Sequence, residues 1–288
     1  MKSIGIDIGA SHIAGGIYDF NSKKLICKKY LINKFRIKNF NNYNNDLIEN
    51  IINIIDYLII KSSVNINSIS SIGIACPGGI DVNKKIFYGS STLNVSKINF
   101  IKELKKYSKK IYIENDCTCA GICESYIRKV DNFIIFTLGS DVGISYIKDF
   151  QIKNEIVPKI INANYKNINQ RERYIKSFAD LCNKYSSIKN SKCEKSDFFK
   201  LIENKDVCAK CILSEFIEDF VNGIIIIKNK YNIKNYCIGG GLSNYYRFYI
   251  DEVKSKIPNC YVYCAKYKND SGIIGAALLE KWVTNDYN

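Results

Sequence analysis

The stretch "YIENDCTCAG", residues 112–121, sets Asn115 and Asp116 at the end of an apolar run, just ahead of small residues at helical spacing. A carboxylate where a strand passes into a helix has two uses. It caps the helix, accepting N–H groups that would otherwise go unbonded, for about 1 kcal/mol, or it works as a general base. Asp7 raises a parallel question, because it lies inside the apolar run "SIGIDIG" ahead of Gly9. A lone carboxylate there is costly to bury unless it is paired, hydrogen-bonded or beside a cation. Nucleotide-bound Mg2+, usually held through water, is one such cation; holding the turn in shape is the other role.

Three glycine-bearing segments could receive a nucleotide. Gly9, Ala10 and Ser11 offer backbone N–H groups and a hydroxyl to phosphate oxygens. The chain's one histidine, His12, follows them, either near phosphate or simply exposed. Gly139, Ser140 and Gly143 repeat the arrangement in "LGSDVG", with Asp141 as a complication. Its charge would repel phosphate unless it turns away, helps hold a metal, or marks a site that has lost affinity. Gly239, Gly240 and Gly241, in "CIGGGLS", offer a side-chain-free surface at a helix start, suited to ribose and base.

Strands and turns must carry these residues. Residues 3–19 read as strand, turn, strand, and 133–149 repeat the pattern, "IGAS" being echoed by "LGSD". The echo implies a structural duplication, two domains each opening on a hairpin whose turn faces a shared cleft. Between the hairpins, "NDLIENIINIIDYLIIKS" (45–62) has apolar residues at helical spacing, and "SSIGIACPGGID" (70–81) is a strand ending in a Pro-Gly-Gly turn. "NFIKELKKYSK" predicts a helix and "KIYIEND" a strand. Further helices are expected over "RERYIKSFADLCNKY" (171–185), over 208–231, and over the small-residue tail "SGIIGAALLEKW", which can pack closely on a neighbour. This alternation indicates an α/β class with ligands near strand ends.

A length of 288 residues suits two domains, and 47% hydrophobic with 24% charged residues is the balance of a soluble globular protein. The formal charge of +14 is spread along the chain, its densest knot being "KELKKYSKK" (102–110), so it reads as compositional bias rather than a nucleic-acid surface. A basic field can still gather an anionic small molecule. Twelve cysteines, scattered through the expected elements, read as the reduced thiols of a cytoplasmic protein. Cys208 and Cys211 form a CxxC at helical spacing with no second ligand pair, and read as core packing. "MKSIGIDIG" enters a charged strand at once, unlike a signal peptide. No apolar run reaches the roughly 20 residues that a membrane span needs.

Together the segments resemble the ROK family (repressors, open reading frames and sugar kinases) of the actin-like ATPase superfamily, over nearly the whole chain. "IGIDIGASHIAGGIYD" is similar to that family's first phosphate motif, "GIACPGGID" to its Pro-Gly turn and "IENDCTCAGICE" to its Asn-Asp catalytic segment. "FTLGSDVGISYI" is similar to its second phosphate motif, "CIGGGLS" to its adenosine motif and "GIIGAALL" to its final helix. The resemblance implies an α/β, actin-like (ribonuclease H-like) fold of two similar domains around a nucleotide and sugar cleft. Residues 1–117, rejoined by a C-terminal helix 272–288, would form one and 118–271 the other. It implies transfer of a phosphoryl group from ATP, with Mg2+, to a hexose or N-acylhexosamine, without nucleic acid or membrane partners; a homodimer is the family's habit. Asp116 is then the general base. Gly78, Gly79, Thr92, Asn115, Glu155 and Glu172 fall on the sugar side, the three glycine-bearing segments with His12 and Asp141 on the nucleotide side, and Asp7 on the metal.

Some positions depart from that pattern. "NEIVPK" points to Glu155, but the family histidine three places on is Pro158, which neither binds zinc nor hydrogen-bonds a sugar. Residues 163–172, "ANYKNINQRE", stand where many relatives carry a cysteine-rich zinc loop and hold no cysteine, so no structural zinc is expected. Thr92 replaces an expected asparagine. Pro158 and Asp141 support the alternative of a weak or inactive ROK-like sugar- or nucleotide-binding protein, a sensor or pseudokinase. ROK repressors carry a helical DNA-binding domain ahead of the first hairpin; here the hairpin opens the chain, so DNA binding by that route is not expected.

Overall fold

A computed structural model describes all residues except 33–42, 91, 92, 94, 109, 168, 171 and 285–288. They divide into two units, 1–129 with 270–288, and 130–269. In the first, β1 (Lys2–Ile8), β2 (His12–Asp19) and β3 (Lys24–Ile32) run antiparallel in succession. Helix α1 (Asn44–Ser62) follows, and β4 (Ile69–Cys76) returns parallel to β1. Short strands β5 (Gly79–Asp81), β6 (Ile86–Gly89) and β7 (Ile98–Asn99) make a separate small sheet, and α2 (Phe100–Leu104) leads to β8 (Ile111–Asn115), parallel to β4. Helix α3 (Asp116–Arg128) closes this part.

The second unit opens with β9 (Phe133–Leu138), β10 (Val142–Lys148) and β11 (Gln151–Ile152), again antiparallel in succession. Helix α4 (Val157–Ala163), the hairpin β12 (Tyr165–Asn167) and β13 (Glu172–Arg173), and helices α5 (Phe178–Lys189), α6 (Lys195–Glu203) and α7 (Val207–Tyr231) follow. Then β14 (Asn235–Gly239), a 3-10 helix Gly241–Phe248, α8 (Ile250–Lys256) and β15 (Tyr261–Cys264) complete it. The chain returns to the first unit with α9 (Ser271–Ala277) and α10 (Leu279–Val283). The sheets are ordered β3-β2-β1-β4-β8 and β11-β10-β9-β14-β15. Position for position, the two orders match, as do the parallel and antiparallel pairings.

Each unit has its own core. Helix α1 buries Leu47, Ile51, Ile54, Ile55 and Leu58, which share a core with Ile4, Ile6 and Ile72 of the sheet. Phe136, Tyr236, Phe178, Phe198, Phe216 and Phe220 anchor the core of the second unit. Small residues decide how α9 docks. A Cβ at Gly5 would lie 1.9 Å from the Ile273 carbonyl oxygen, one at Gly73 1.8 Å from that of Ala276, and one at Gly275 1.7 Å from that of Cys119. Helix α9 therefore packs backbone to backbone against β1, β4 and α3.

Several expectations change. Helix α3 lies in the first unit, beyond the boundary expected at 117, because α9 packs against it. Residues 172–176 precede a helix rather than belonging to one. Ser177 caps α5 in a reciprocal box with Asp180, the N–H of Asp180 reaching Ser177 Oγ at 3.1 Å and that of Ser177 reaching Asp180 Oδ2 at 2.8 Å. Asn164 binds both the N–H and the carbonyl of Ile175, at 2.7 and 3.3 Å, holding the preceding segment extended. The glycine triplet opens a 3-10 helix rather than an α-helix. Cys208 is half-buried against the core of the second unit, as expected, whereas Cys211 is exposed on α7; all twelve cysteines are free thiols.

Candidate active site

Three parallel strands of the first unit end side by side. Asp7 of β1 pairs in register with Ala75 of β4 and Ala75 with Glu114 of β8, while Cys76 stands beside Asn115. The carboxyl ends of parallel strands are the common ligand position in α/β sheets. They collect Asp7, the Pro77-Gly78-Gly79 turn and the Asn115–Asp116 pair. Gly78 has φ +86°, and a Cβ on it would meet the Gly89 carbonyl oxygen at 2.6 Å, so the turn requires glycine there.

The cap of α3 is Asn115. Its backbone is extended (φ −62°, ψ 141°) and its Oδ1 accepts the N–H groups of Cys117 and Thr118 at 3.0 and 3.3 Å. Asp116, at the first helical position, accepts the Cys117 N–H at 2.8 Å and its own backbone N–H. Glu114 accepts the Asn115 N–H at 2.8 Å and is buried, fixing the strand-to-helix corner from the other side. Burial pushes Asp116 up to about 6, with the Cys117 N–H pulling the other way. Burial, then repulsion from Asp116, pushes Asp7 up to about 8. The repulsion thus falls on Asp7, which gives up its charge first. Among the described residues no group donates a hydrogen bond to the Asp7 carboxylate, and a Cβ at Gly272 would lie 2.5 Å from it. The start of α9 is held over this site by Asp270, which binds Lys28 at 2.9 Å and the Tyr30 hydroxyl.

The first hairpin turn is closed by the Gly9 N–H on the His12 carbonyl, 2.9 Å. Ser11 Oγ lies 3.2 Å from His12 Nδ1. The last strand pair, Ile8–Ile13, encloses residues 9–12, whereas Leu138–Val142 in the second unit encloses only 139–141. The second turn is tighter, and Asp141 fills its corner, its own carboxylate accepting the Val142 N–H at 2.8 Å.

Within the second unit the tight turn and the glycine triplet meet. They follow β9 and β14, which are parallel neighbours. Gly240 has φ +74°, and a Cβ there would come within 2.7 Å of the Leu138 nitrogen, so the triplet's backbone lies directly on the turn. The start of α5 docks on both, the Ala179 N–H reaching the Gly139 carbonyl at 3.1 Å. Two cations flank the turn. Arg173 binds Asp141 at 2.7 Å and Asp180 at 3.3 Å, and Lys195 donates to Ser140 Oγ at 3.1 Å. The Asp141 charge is therefore answered by a guanidinium. Space above Gly139 is open, with no heavy atom within 4 Å of where a Cβ would sit.

The sugar-side candidates are less gathered. Glu155 is exposed in the turn before α4, and Pro158 lies in the first turn of that helix, where a missing N–H costs little. Glu172 is exposed on β13, 3.6 Å from Lys166, whose ammonium also binds Asp219 of α7. Thr92 lies outside the described residues. Glu114, Arg173 and Lys195 had not been singled out from the sequence. Glu114 carried a signal, an acid beside the Asn-Asp pair; Arg173 and Lys195 stand among other basic residues that gave no reason to choose them. Among the described residues no group of three or more His, Cys, Asp or Glu side chains could hold a metal, and no helix is long and apolar enough to cross a membrane.

Residues 3–154 and 172–282 match the ROK family. A xylose repressor from Bacillus spizizenii (strain ATCC 23059 / NRRL B-14472 / W23) is 25% identical over 150 residues, 50% of this chain but only 37% of that protein's length. Among solved structures, a ROK family glucokinase from Streptomyces griseus, in complex with glucose and AMPPNP, superposes with a TM-score of 0.79 at 14% identity, over 97% of this chain and 99% of the other. A ROK hexokinase from Thermus thermophilus gives a TM-score of 0.73 at 14% identity, over 99% and 100%. These likenesses establish the fold, the actin-like ATPase fold of the ROK sugar kinases. With the family matched along both units, the chain belongs to the ROK family.

Proposed function

We propose that the protein transfers the terminal phosphoryl group of ATP to a hydroxyl of a hexose or N-acylhexosamine, with Asp116 as general base. The observation that carries this reading is the division of work between Asn115 and Asp116. Asn115 supplies the cap, so Asp116 is not required for it, and its half-buried carboxylate, raised by burial to about 6, stands at the end of three parallel strands. A base in that range is ionised at neutral pH yet still basic enough to accept a hydroxyl proton in the transition state. Phosphoryl transfer otherwise relies on alignment and charge neutralisation. Asp7 suits Mg2+ held through one carboxylate, water and phosphate oxygens, because its carboxylate is buried without a hydrogen-bond donor among the described residues. When bound, that ion would offset phosphate charge. The Gly9–His12 turn, the Gly139–Gly143 turn and the Gly239–Gly241 triplet supply the nucleotide contacts, with Gly78, Gly79, Asn115, Glu155 and Glu172 on the sugar.

ADP release measured with Mg-ATP against glucose, mannose, fructose, allose, N-acetylglucosamine and N-acetylmannosamine tests this. At least one sugar should stimulate turnover, and Asp116→Asn should lose roughly 10²–10⁴-fold in kcat with little change in sugar KM. Full activity in that variant would sink the role of Asp116. The relation to a xylose repressor over half of this chain favours a second reading, a non-catalytic sugar-responsive protein. Sugar binding without stimulated ADP release would make it the better one.

A further inference from the structure

The Gly139–Gly143 turn is unusual for an anion site because Asp141 occupies it, yet two cations, Arg173 and Lys195, offset the carboxylates of Asp141 and Asp180 beside it. Arg173 pairs with the Asp141 carboxylate at 2.7 Å and with Asp180 at 3.3 Å, so it offsets part of the charge that Asp141 presents to a ligand. Lys195 then adds a positive charge, half-buried with its ammonium 3.1 Å from Ser140 Oγ. Its position is fixed by the loop between α5 and α6. The Ser191 N–H returns to the Ser186 carbonyl at 3.2 Å and the Cys193 N–H to Ser186 Oγ at 2.9 Å, so the chain reaches Lys195 along a hydrogen-bonded path. Among the described residues the N–H groups of Ser140 and Asp141 make no hydrogen bond, and the space beside Gly139 is open. An ammonium, a hydroxyl and uncommitted N–H groups around one open turn are the elements of a phosphate receptor.

We propose that Lys195 binds the phosphate chain of a nucleoside triphosphate at this turn, its ammonium passing from the Ser140 hydroxyl to a phosphate oxygen. This rests on the reading of the protein as ATP-dependent, and it adds a cation from outside the glycine motif as a determinant of nucleotide affinity. Calorimetric titration of wild type, Lys195→Met and Lys195→Arg with ATP and, separately, with adenosine tests it. The methionine variant should bind ATP roughly 10- to 100-fold more weakly, as expected for a lost hydrogen bond to a charged group. Adenosine affinity should be unchanged, and Lys195→Arg should recover most of the loss. ATP affinity in Lys195→Met within twofold of wild type, or an equal loss for adenosine, overturns the assignment. Wild type that binds ATP but phosphorylates no sugar leaves Lys195 in place and removes only the kinase reading; wild type that binds neither nucleotide removes both.

Discussion

An aspartate that is half-buried with no hydrogen-bond donor among the described residues favours the protonated form, and Asp7 is in that position. Its raised value, about 8 against about 4 for an ordinary aspartate, means that the folded protein holds a proton that the unfolded chain has released. Between those values the native state binds more protons, so stability falls as pH rises through the window. A cation at Asp7 would relieve this penalty; so would removal of the charge. Asp7→Asn should therefore melt at a higher temperature than wild type at pH 8 and show no gain at pH 4, while losing ATP-dependent turnover. Equal melting temperatures at pH 8 would mean that Asp7 is not strained by its surroundings. Asp116 titrates lower, at about 6, and a base must be ionised to act. In kcat/KM against pH, activity should rise through about pH 6 to a plateau, and a profile flat down to pH 4.5 would exclude Asp116 as the base.

Elements reach the site through unusually close backbone packing. Helix α9 presses on β1, β4 and α3 at Gly5, Gly73 and Gly275, where the opposing atoms are main-chain carbonyls that cannot swing aside. Gly275→Ala should cost more than the ~1–3 kcal/mol of an ordinary overpacked site, visible as a lower midpoint in urea. An unchanged midpoint would show that α9 can slide. The small-residue tail announced this packing in the sequence, and both hairpins and the Pro-Gly-Gly turn were legible because each is set by local chain stiffness. The choice between Asn115 and Asp116 as the cap was not. Both residue types cap well, and the extended backbone of Asn115 decides between them. The Asp141–Arg173 pair was equally hidden, since it joins positions brought together only by the fold of the second unit.

At the scale of the whole chain, the echo of "IGAS" in "LGSD" foretold two domains of one plan, and the matching strand orders bear that out. Their continuity along the chain differs. The second unit is one uninterrupted segment, 130–269, with its own aromatic core, and its length falls within the ordinary range for a domain. The first unit is complete only when 270–288 return, because α9 covers the sheet at Gly5 and Gly73 and packs on α3. Residues 1–129 alone would leave that face of the sheet in water, and exposing so much apolar surface removes the main driving force for folding. A fragment of residues 130–269 should therefore unfold cooperatively in urea and give dispersed amide signals in nuclear magnetic resonance, while a fragment of 1–129 should lack fixed tertiary structure. Cooperative unfolding of 1–129 on its own would mean that α9 is an accessory to the first unit rather than part of its core. In synthesis from the N-terminus, the same dependence orders events: the second unit can close as soon as β15 is made, and the first must wait for the last helices.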